Sequence, residues 1–475
     1  MPSSQRKNQR RRSTAKRRQE RPARKAGRAA KAVPQEIRSR GRADQTATKP
    51  RTPQALVAPW LKAALAAAVV LFAVSAQSGF SPWAGIAPAR ADQSGSSPWF
   101  ALRLPTLAPM TSVAFPPTTV KAIYYTSWSA GVPSRMEEAI TLIHGSALNA
   151  VVIDLKDFSG KVVFETSSPL IKRIGSEQRR IGDLRQLVGH LHQEGVYVIG
   201  RIAVFQDQHL VSVRPDLAVK NATGGVWRDR RGLGWVDPAS REVWEYAAEV
   251  AREAAKAGID ELNFDYVRFP SDGTLSSIRY PFYDEQKESK RAVIRNLFAF
   301  LAEALAPTGK ARSVDLFGLA TVRPDDLGIG QVIEDALLYF DYVCPMVYPS
   351  HYAPGFLQFR NPAAYPYEVI HYSLAAALAR QARFAQTIAP IVRGSLADDP
   401  GDTLTPPAKL ARFRPWLQAF DLGAVYTPAM IRKQMQAVYD VGITDGWYLW
   451  NPSNVYVPAS VEPRQAPALT TTARP

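Results

Sequence analysis

The chain has a single cysteine, Cys344, in 475 residues. That excludes an intrachain disulfide but leaves the compartment open, because an exported protein need not carry one. Histidine is almost as scarce. The six imidazoles fall at no metal-ligand spacing, and His190 and His192, two apart on a helical stretch, point in different directions, so no metal is expected. No glycine-rich phosphate loop opens the first helical stretch, and Gly232 and Gly234 are too sparse to make one; no cofactor is expected. Acids are nearly missing from residues 1–51, where Glu20, Glu36 and Asp44 stand against 18 Lys and Arg. All but two units of the +17 net charge therefore sit there. The remainder of the chain needs no polyanion, and no specific nucleic-acid partner is expected; that reading would rest on the basic tail alone.

Residues 1–54 have almost no aromatic or β-branched content and read as a disordered basic cytoplasmic tail. Residues 55–76 come next with the apolar run Leu56 to Ala76, about one membrane span long and interrupted only by Pro59 and Lys62. The basic tail before it predicts a cytoplasmic N-terminus, a single-pass anchor in the cytoplasmic membrane and a C-terminal part on the outer, periplasmic or extracellular, side. Ala89-Arg90-Ala91 has the form of a cleavage site, so an export signal is the alternative; both readings export the C-terminal part. Residues 77–119, rich in Pro and Ser, read as a semi-extended linker, and 457–475 as a disordered tail.

From Val120 the pattern changes to short apolar runs alternating with helical ones. Strands are expected at Val120 to Thr126, Ala150 to Leu155, Tyr197 to Phe205, Ile259 to Phe269, Ser313 to Ala320, Tyr342 to Tyr348, Thr387 to Val392 and Gly446 to Trp450. Helices are expected at Ser134 to His144, Ile181 to Glu194, Arg241 to Ala257, Lys287 to Ala306, Tyr367 to Phe384 and Pro428 to Val441. Eight strands with intervening helices over residues 120–456 predict an α/β fold, a (β/α)8 TIM barrel with insertions.

Barrel chemistry sits at the C-terminal strand ends. Leu262 and Phe264 alternate with Asn263 and Asp265, which gives strand four one apolar face and one face that carries an acid. On strand two Val151, Ile153 and Leu155 are expected to face the helices, with Asp154 and Lys156 toward the axis and Asp157 opening the loop. Asp154 and Asp265 lie on strands of the same parity. Arg201, on the strand between, is placed to set their charge, with Arg268 just beyond strand four; an ion network that only stabilises the barrel is the plainer alternative. Trp128, Phe205, Trp227, Trp235, Tyr348, Tyr352 and Trp450 form an expected aromatic rim suited to sugar rings. Asp157, His351 and Asn451 join Trp128, Tyr348 and Trp450 as candidate substrate-binding residues. Asp325 and Asp326 are possible second carboxylates or helix caps. Asp237-Pro238, before Arg241, reads as a helix start.

Tyr124-Tyr125-Thr126-Ser127-Trp128, VVIDLKD at 151–157, Arg201 with its AVF continuation, FDYVRFPSDG at 264–273, PMVYPSHY at 345–352 and GWYLWN at 446–451 appear in order. Together they resemble the uncharacterised bacterial putative glycosyl hydrolase domain family, related to TIM-barrel glycosidases. The resemblance implies a glycosidase-type barrel with Asp265 in the place of the strand-four acid. The chain departs from many retaining barrels in having no Glu at the end of strand four or seven. The expected function is that of a membrane-anchored glycoside hydrolase acting on a cell-envelope or extracellular polysaccharide, with Asp265 as nucleophile or base and Asp154 as its partner. A non-catalytic glycan-binding barrel that tethers the envelope is the second reading; in it the aromatic rim matters and the acids do not.

Overall fold

The computed structural model describes residues 117–397 and 410–464, with the backbone alone over 389–397. Nine parallel strands alternate with helices. They are β1 (Val120–Tyr125), β2 (Ala150–Lys156), β3 (Tyr197–Ala203), β4 (Glu261–Asp265), β5 (Ala311–Phe317), β6 (Tyr342–Met346), β7 (Arg412–Phe413), β8 (Trp416–Gln418) and β9 (Gly446–Trp450). The helices that cross between them are α1 (Pro133–His144), α2 (Leu184–Gln193), α3 (Arg241–Lys256), α4 (Lys290–Leu305), α5 (Ile333–Leu337), α6 (Pro366–Ala397) and α7 (Pro428–Asp440). Pairing runs from β5 back through β1 to β9, β8 and β6, and a β5–β6 ladder closes the ring. Short β7 and β8 share one stave, so the nine strands make an eight-stave barrel.

Alternation builds the wall. Val151, Ile153, Leu155, Leu262, Phe264, Val314 and Leu316 are buried outward against the helices, each worth roughly 1.5–3 kcal/mol when fully buried. Ala122, Tyr124, Val152, Ile199, Cys344, Trp416 and Tyr448 fill the interior. Helix starts are fixed by short polar side chains: Asp183 accepts from Gln186 N at 3.0 Å, Ser289 from Ala292 N at 3.1 Å and Thr427 from Met430 N at 3.3 Å. The barrel floor carries a buried ion pair, Arg414 Nη1 to Glu261 Oε2 at 2.7 Å. Tyr448 and Tyr197 also donate to that carboxylate, at 2.8 and 3.2 Å.

Three expectations are corrected. Residues 387–392 are helical, inside α6, where the Thr387 hydroxyl donates to Arg383 O four residues earlier; the seventh stave is β7 and β8. Lys156 does not face the axis. The register slips between Asp154 and Lys156, setting Lys156 beside Ile202 of the outer core, with Nζ 2.6 Å from Ala203 O and 2.8 Å from Asp207. Asp237 caps nothing directly: α3 begins at Arg241, and the Asp237 carboxylate accepts from Ala239, Phe282 and Tyr283 N. The expected tail at 1–54, anchor at 55–76 and most of the linker lie outside the described residues. Among the described residues no helix is long and apolar enough to cross a membrane.

Candidate active site

Side chains of β2, β4 and β5 converge on one guanidinium of β3. Arg201 projects inward from β3 and donates through Nη1 to Asp154 Oδ1 at 2.6 Å, through Nη2 to Asp265 Oδ2, and stands with Nε 3.7 Å from Asp315 Oδ2. A buried charge of this kind is tolerated only when paired and hydrogen-bonded. The strand register delivers the geometry: Asp154 lies level with Arg201 and Asp265 level with Ala203.

The three acids differ in environment. Asp154 is buried, holds Arg201 with one oxygen and accepts the Tyr124 hydroxyl with the other at 2.5 Å. Burial pushes its carboxyl up, opposed by the Arg201 charge. Asp265 accepts Tyr266 N at 2.5 Å as well as Arg201. Asp315 projects inward from β5, with Oδ1 accepting from Trp416 Nε1 at 2.8 Å and Asn263 Nδ2 at 2.9 Å. Its Oδ2 has no hydrogen-bond partner and no solvent access. Burial first, and the Asp265 charge second, push the Asp315 carboxyl well above the ordinary carboxylate range.

Tyr266, immediately after β4, sits at φ +55°. That left-handed turn of a bulky residue is strained by about 1–3 kcal/mol, and it swings the chain out of the barrel into the mouth. The Tyr266 ring packs edge-on to Trp235 at 5.8 Å.

Above the acids lies a cavity of about 470 Å³ lined by Arg201, Asp265 and Asp315 with Trp235, Tyr266, Arg268, Tyr348, Tyr352 and Trp450. Two larger depressions lie on the flanks, one between α1 and the segment after β9, the other along 270–290. Neither contains the converging acids.

Of the expected rim, Trp235, Tyr348, Tyr352 and Trp450 line the cavity, and so does His351 of the expected substrate-binding residues. The Tyr348 and Trp450 rings lie 5.2 Å apart, tilted by 30°. Phe205 and Trp227 are core residues. Trp128 is 62 % exposed and stands apart with Arg180, whose guanidinium is 4.5 Å from its ring and 2.7 Å from Asp157. Asn451 does not line the cavity: it ties the loop after β9 through Ala419 O, Val455 O and Ser453 N. Asp325 is exposed beside Arg323, and Asp326 accepts from Gly328 N. Asp154 does not line the cavity either. The acid that does so beside Asp265, Asp315, was not singled out from the sequence, although Val314 and Leu316 facing outward force Ser313 and Asp315 inward. Among the described residues no group of three or more His, Cys, Asp or Glu is arranged to hold a metal ion; a guanidinium occupies the centre of the acid cluster.

Residues 122–456 match the family model described as a putative glycosyl hydrolase domain. The chain belongs to that family. The fold and the hydrolase class expected from the sequence agree with this membership. Comparison with curated proteins gives no match. Among solved structures, a hypothetical protein from Ruminiclostridium thermocellum is similar at 32 % identity over 43 % of this chain and 98 % of its own, with a TM-score of 0.38. The glycoside hydrolase domain of PgaB (BpsB) from Bordetella bronchiseptica is similar at 16 % identity over 73 % of this chain and 100 % of its own, TM-score 0.49. That of PelA from Pseudomonas aeruginosa is similar at 12 % identity over 72 % and 98 %, TM-score 0.38.

Proposed function

We propose that this family member hydrolyses O-glycosidic bonds of a cell-envelope or extracellular polysaccharide, with Asp265 as nucleophile or base and Asp315 as the carboxyl that carries the proton. The observation that supports this assignment is the pairing of Asp265 and Asp315 at the floor of one cavity, with Arg201 beside both and the Asp315 carboxyl pushed well upward. A carboxyl pushed toward its neutral form beside a second carboxyl is what acid–base cleavage can use. Asp154 then acts through Arg201, as a positioning residue rather than a partner in the cleavage. The neighbouring Tyr348 and Trp450 rings offer an apolar wall to a sugar face.

We further place the barrel outside the cytoplasmic membrane, held by residues 55–76. A basic segment followed by an apolar run of one span supports that topology. Protease added to intact spheroplasts should remove the barrel from membrane-bound protein and leave the basic segment protected.

The activity is tested by incubating the protein with envelope and exported polysaccharides and analysing the products, with Asp265→Asn as control. Release of oligosaccharide by the wild type and not by the variant supports the assignment. Equal rates in both would make it wrong. The anomer formed first reports retention or inversion.

A further inference from the structure

The buried arginines of the barrel are paired with acids, with one exception. Arg201, Arg312, Arg380 and Arg414 each lie within 4.0 Å of a carboxylate oxygen. Arg268 is only 8 % exposed, yet among the described residues no carboxylate lies within ion-pair distance of it. Its charge meets that of Asp265 only at longer range. Its guanidinium is sandwiched between the Trp235 and Phe317 rings, 4.7 and 4.5 Å from their centroids, an arrangement that holds a planar cation rigidly. Nη1 donates to Phe269 O and Ser271 Oγ, both at 3.1 Å. Nε and Nη2 donate to no described residue, and neither is sealed from solvent. The residue lines the cavity, so that free edge of the fork has the cavity to face.

A second cation shares the cavity. Arg231, in the loop between β3 and α3, lines it and forms no ion pair among the described residues. The acids of the same cavity are already occupied. Asp265 is bound by Arg201. Asp229 accepts from Gln206 Nε2, Trp235 Nε1 and the Arg231 and Leu233 amides. Exposed Asp272 accepts from the Arg230 amide, and Asp315 favours its neutral form. Desolvation pulls Arg268 down from the ordinary guanidinium value, against the longer-range charges of Asp265, Asp272 and Asp229, the cost of a buried cation kept without an ion pair.

We propose that Arg268 and Arg231 bind an anionic substituent on the glycan, the carboxylate of a uronosyl unit or a phosphate or sulfate ester, so that the substrate is an acidic polysaccharide. The proposal rests on the glycosidase reading for its sugar and on the unpartnered arginines for its charge. A bidentate fork beside an aromatic wall matches a planar or tetrahedral oxyanion on a ring. Binding should weaken as salt is raised.

The test is equilibrium binding of the full chain to a panel of oligouronides, to their carboxyl-reduced neutral counterparts, and to phosphorylated and sulfated forms of those neutral chains. At least one acidic member should bind about 10- to 100-fold tighter than its neutral counterpart, and the class that does so tells a uronate from an ester. Arg268→Met should erase that difference between acidic and neutral chains. Arg231→Gln, at an exposed position that does not threaten folding, should reduce it about 3- to 10-fold. Equal binding of every acidic and neutral pair, or a preference untouched by both substitutions, overturns the proposal. An acidic glycan that is bound but never cleaved would sink the hydrolase reading alone, and cleavage of neutral chains without preference would sink this one alone.

Discussion

Burial first, and the Asp265 carboxylate on the adjacent strand second, push up the pKa of Asp315, while Arg201 binds Asp265 directly and stands 3.7 Å from Asp315. A stability signature arises from the sign of that shift. A carboxyl whose folded pKa lies above its unfolded value of about 3.9 contributes fully to stability below that value. The contribution is lost as pH rises through the folded pKa. Asp315→Asn cannot titrate, so its Tm relative to wild type should climb from pH 4 to pH 8. Asp154, Asp237 and Asp341, also pushed upward by burial, titrate in both proteins and cancel in the difference. A Tm difference that stays flat over this range would remove the case for a protonated Asp315.

Activity should separate the three acids. Asp265→Asn and Asp315→Asn are each expected to lower kcat by about 10²–10⁴-fold, with the fold intact by circular dichroism. The alkaline limb of the wild-type pH–rate profile belongs to the proton donor, because activity falls as the donor deprotonates, and it should be absent from residual Asp315→Asn activity. Asp154→Asn, acting only through Arg201, should shift the profile and lower kcat less than either. An Asp154 variant as inactive as the Asp265 one would return Asp154 to the chemistry.

Arg201 is also a stability residue. Replacing it by Met leaves Asp154 and Asp265 buried without their counter-charge, at a cost of about 3–5 kcal/mol. The shift in urea midpoint measures this, with an unchanged m-value showing that the unfolded state is unaffected. In the double variant with Asp154→Asn the loss should be smaller than the sum of the two single losses.

Trp450 lines the cavity beside Tyr348 and packs against Phe420 at 4.8 Å. Trp450→Ala should raise KM or Kd for a glycan about 3- to 10-fold with little change in kcat. Trp128→Ala, outside the cavity, should matter only for oligosaccharides long enough to reach it. An equal effect of both on short substrates would contradict the cavity as the binding site.

The seam between β1 and β9 depends on Gly446. Its φ is +99°, and a Cβ there would lie 1.9 Å from Val120 O. Gly446→Ala is expected to cost at least about 2 kcal/mol by thermal or denaturant unfolding, since backbone on both sides must move.

Where side chains alternate strictly, the sequence could be read. Val151-Ile153-Leu155 and Leu262-Phe264 announced both the strands and their inward acids. The seventh stave has no such pattern, because Pro415 divides it and Arg412 and Arg414 replace the apolar residues; Thr387 to Val392, β-branched and apolar, imitated a strand while lengthening α6. Asp154, Arg201 and Asp265 came together as the strand order implied, since their register is set by pairing alone. Asp315 escaped because it sits within β5 rather than at a strand end, yet lines the cavity. Which carboxyl faces the cavity and which hides behind Arg201 depends on side-chain packing across the axis, and no local pattern encodes that. The vacant edge of Arg268 was equally illegible, because a missing counter-charge is visible only in three dimensions.

All strands run the same way, so Val120 opens β1 at the end of the barrel opposite the mouth, where Thr119 donates to Thr444 O at 2.7 Å. After β9 the chain returns to that same end: Pro463 bridges to Ser146 and Glu462 pairs with Lys121 at 2.8 Å. Entry and exit thus share the closed face. The barrel is wired like a plug-in module, one that can be coupled to a resin, a fluorescent reporter or a loop of another protein through either end without a polymer strand having to compete with the attachment for the open side.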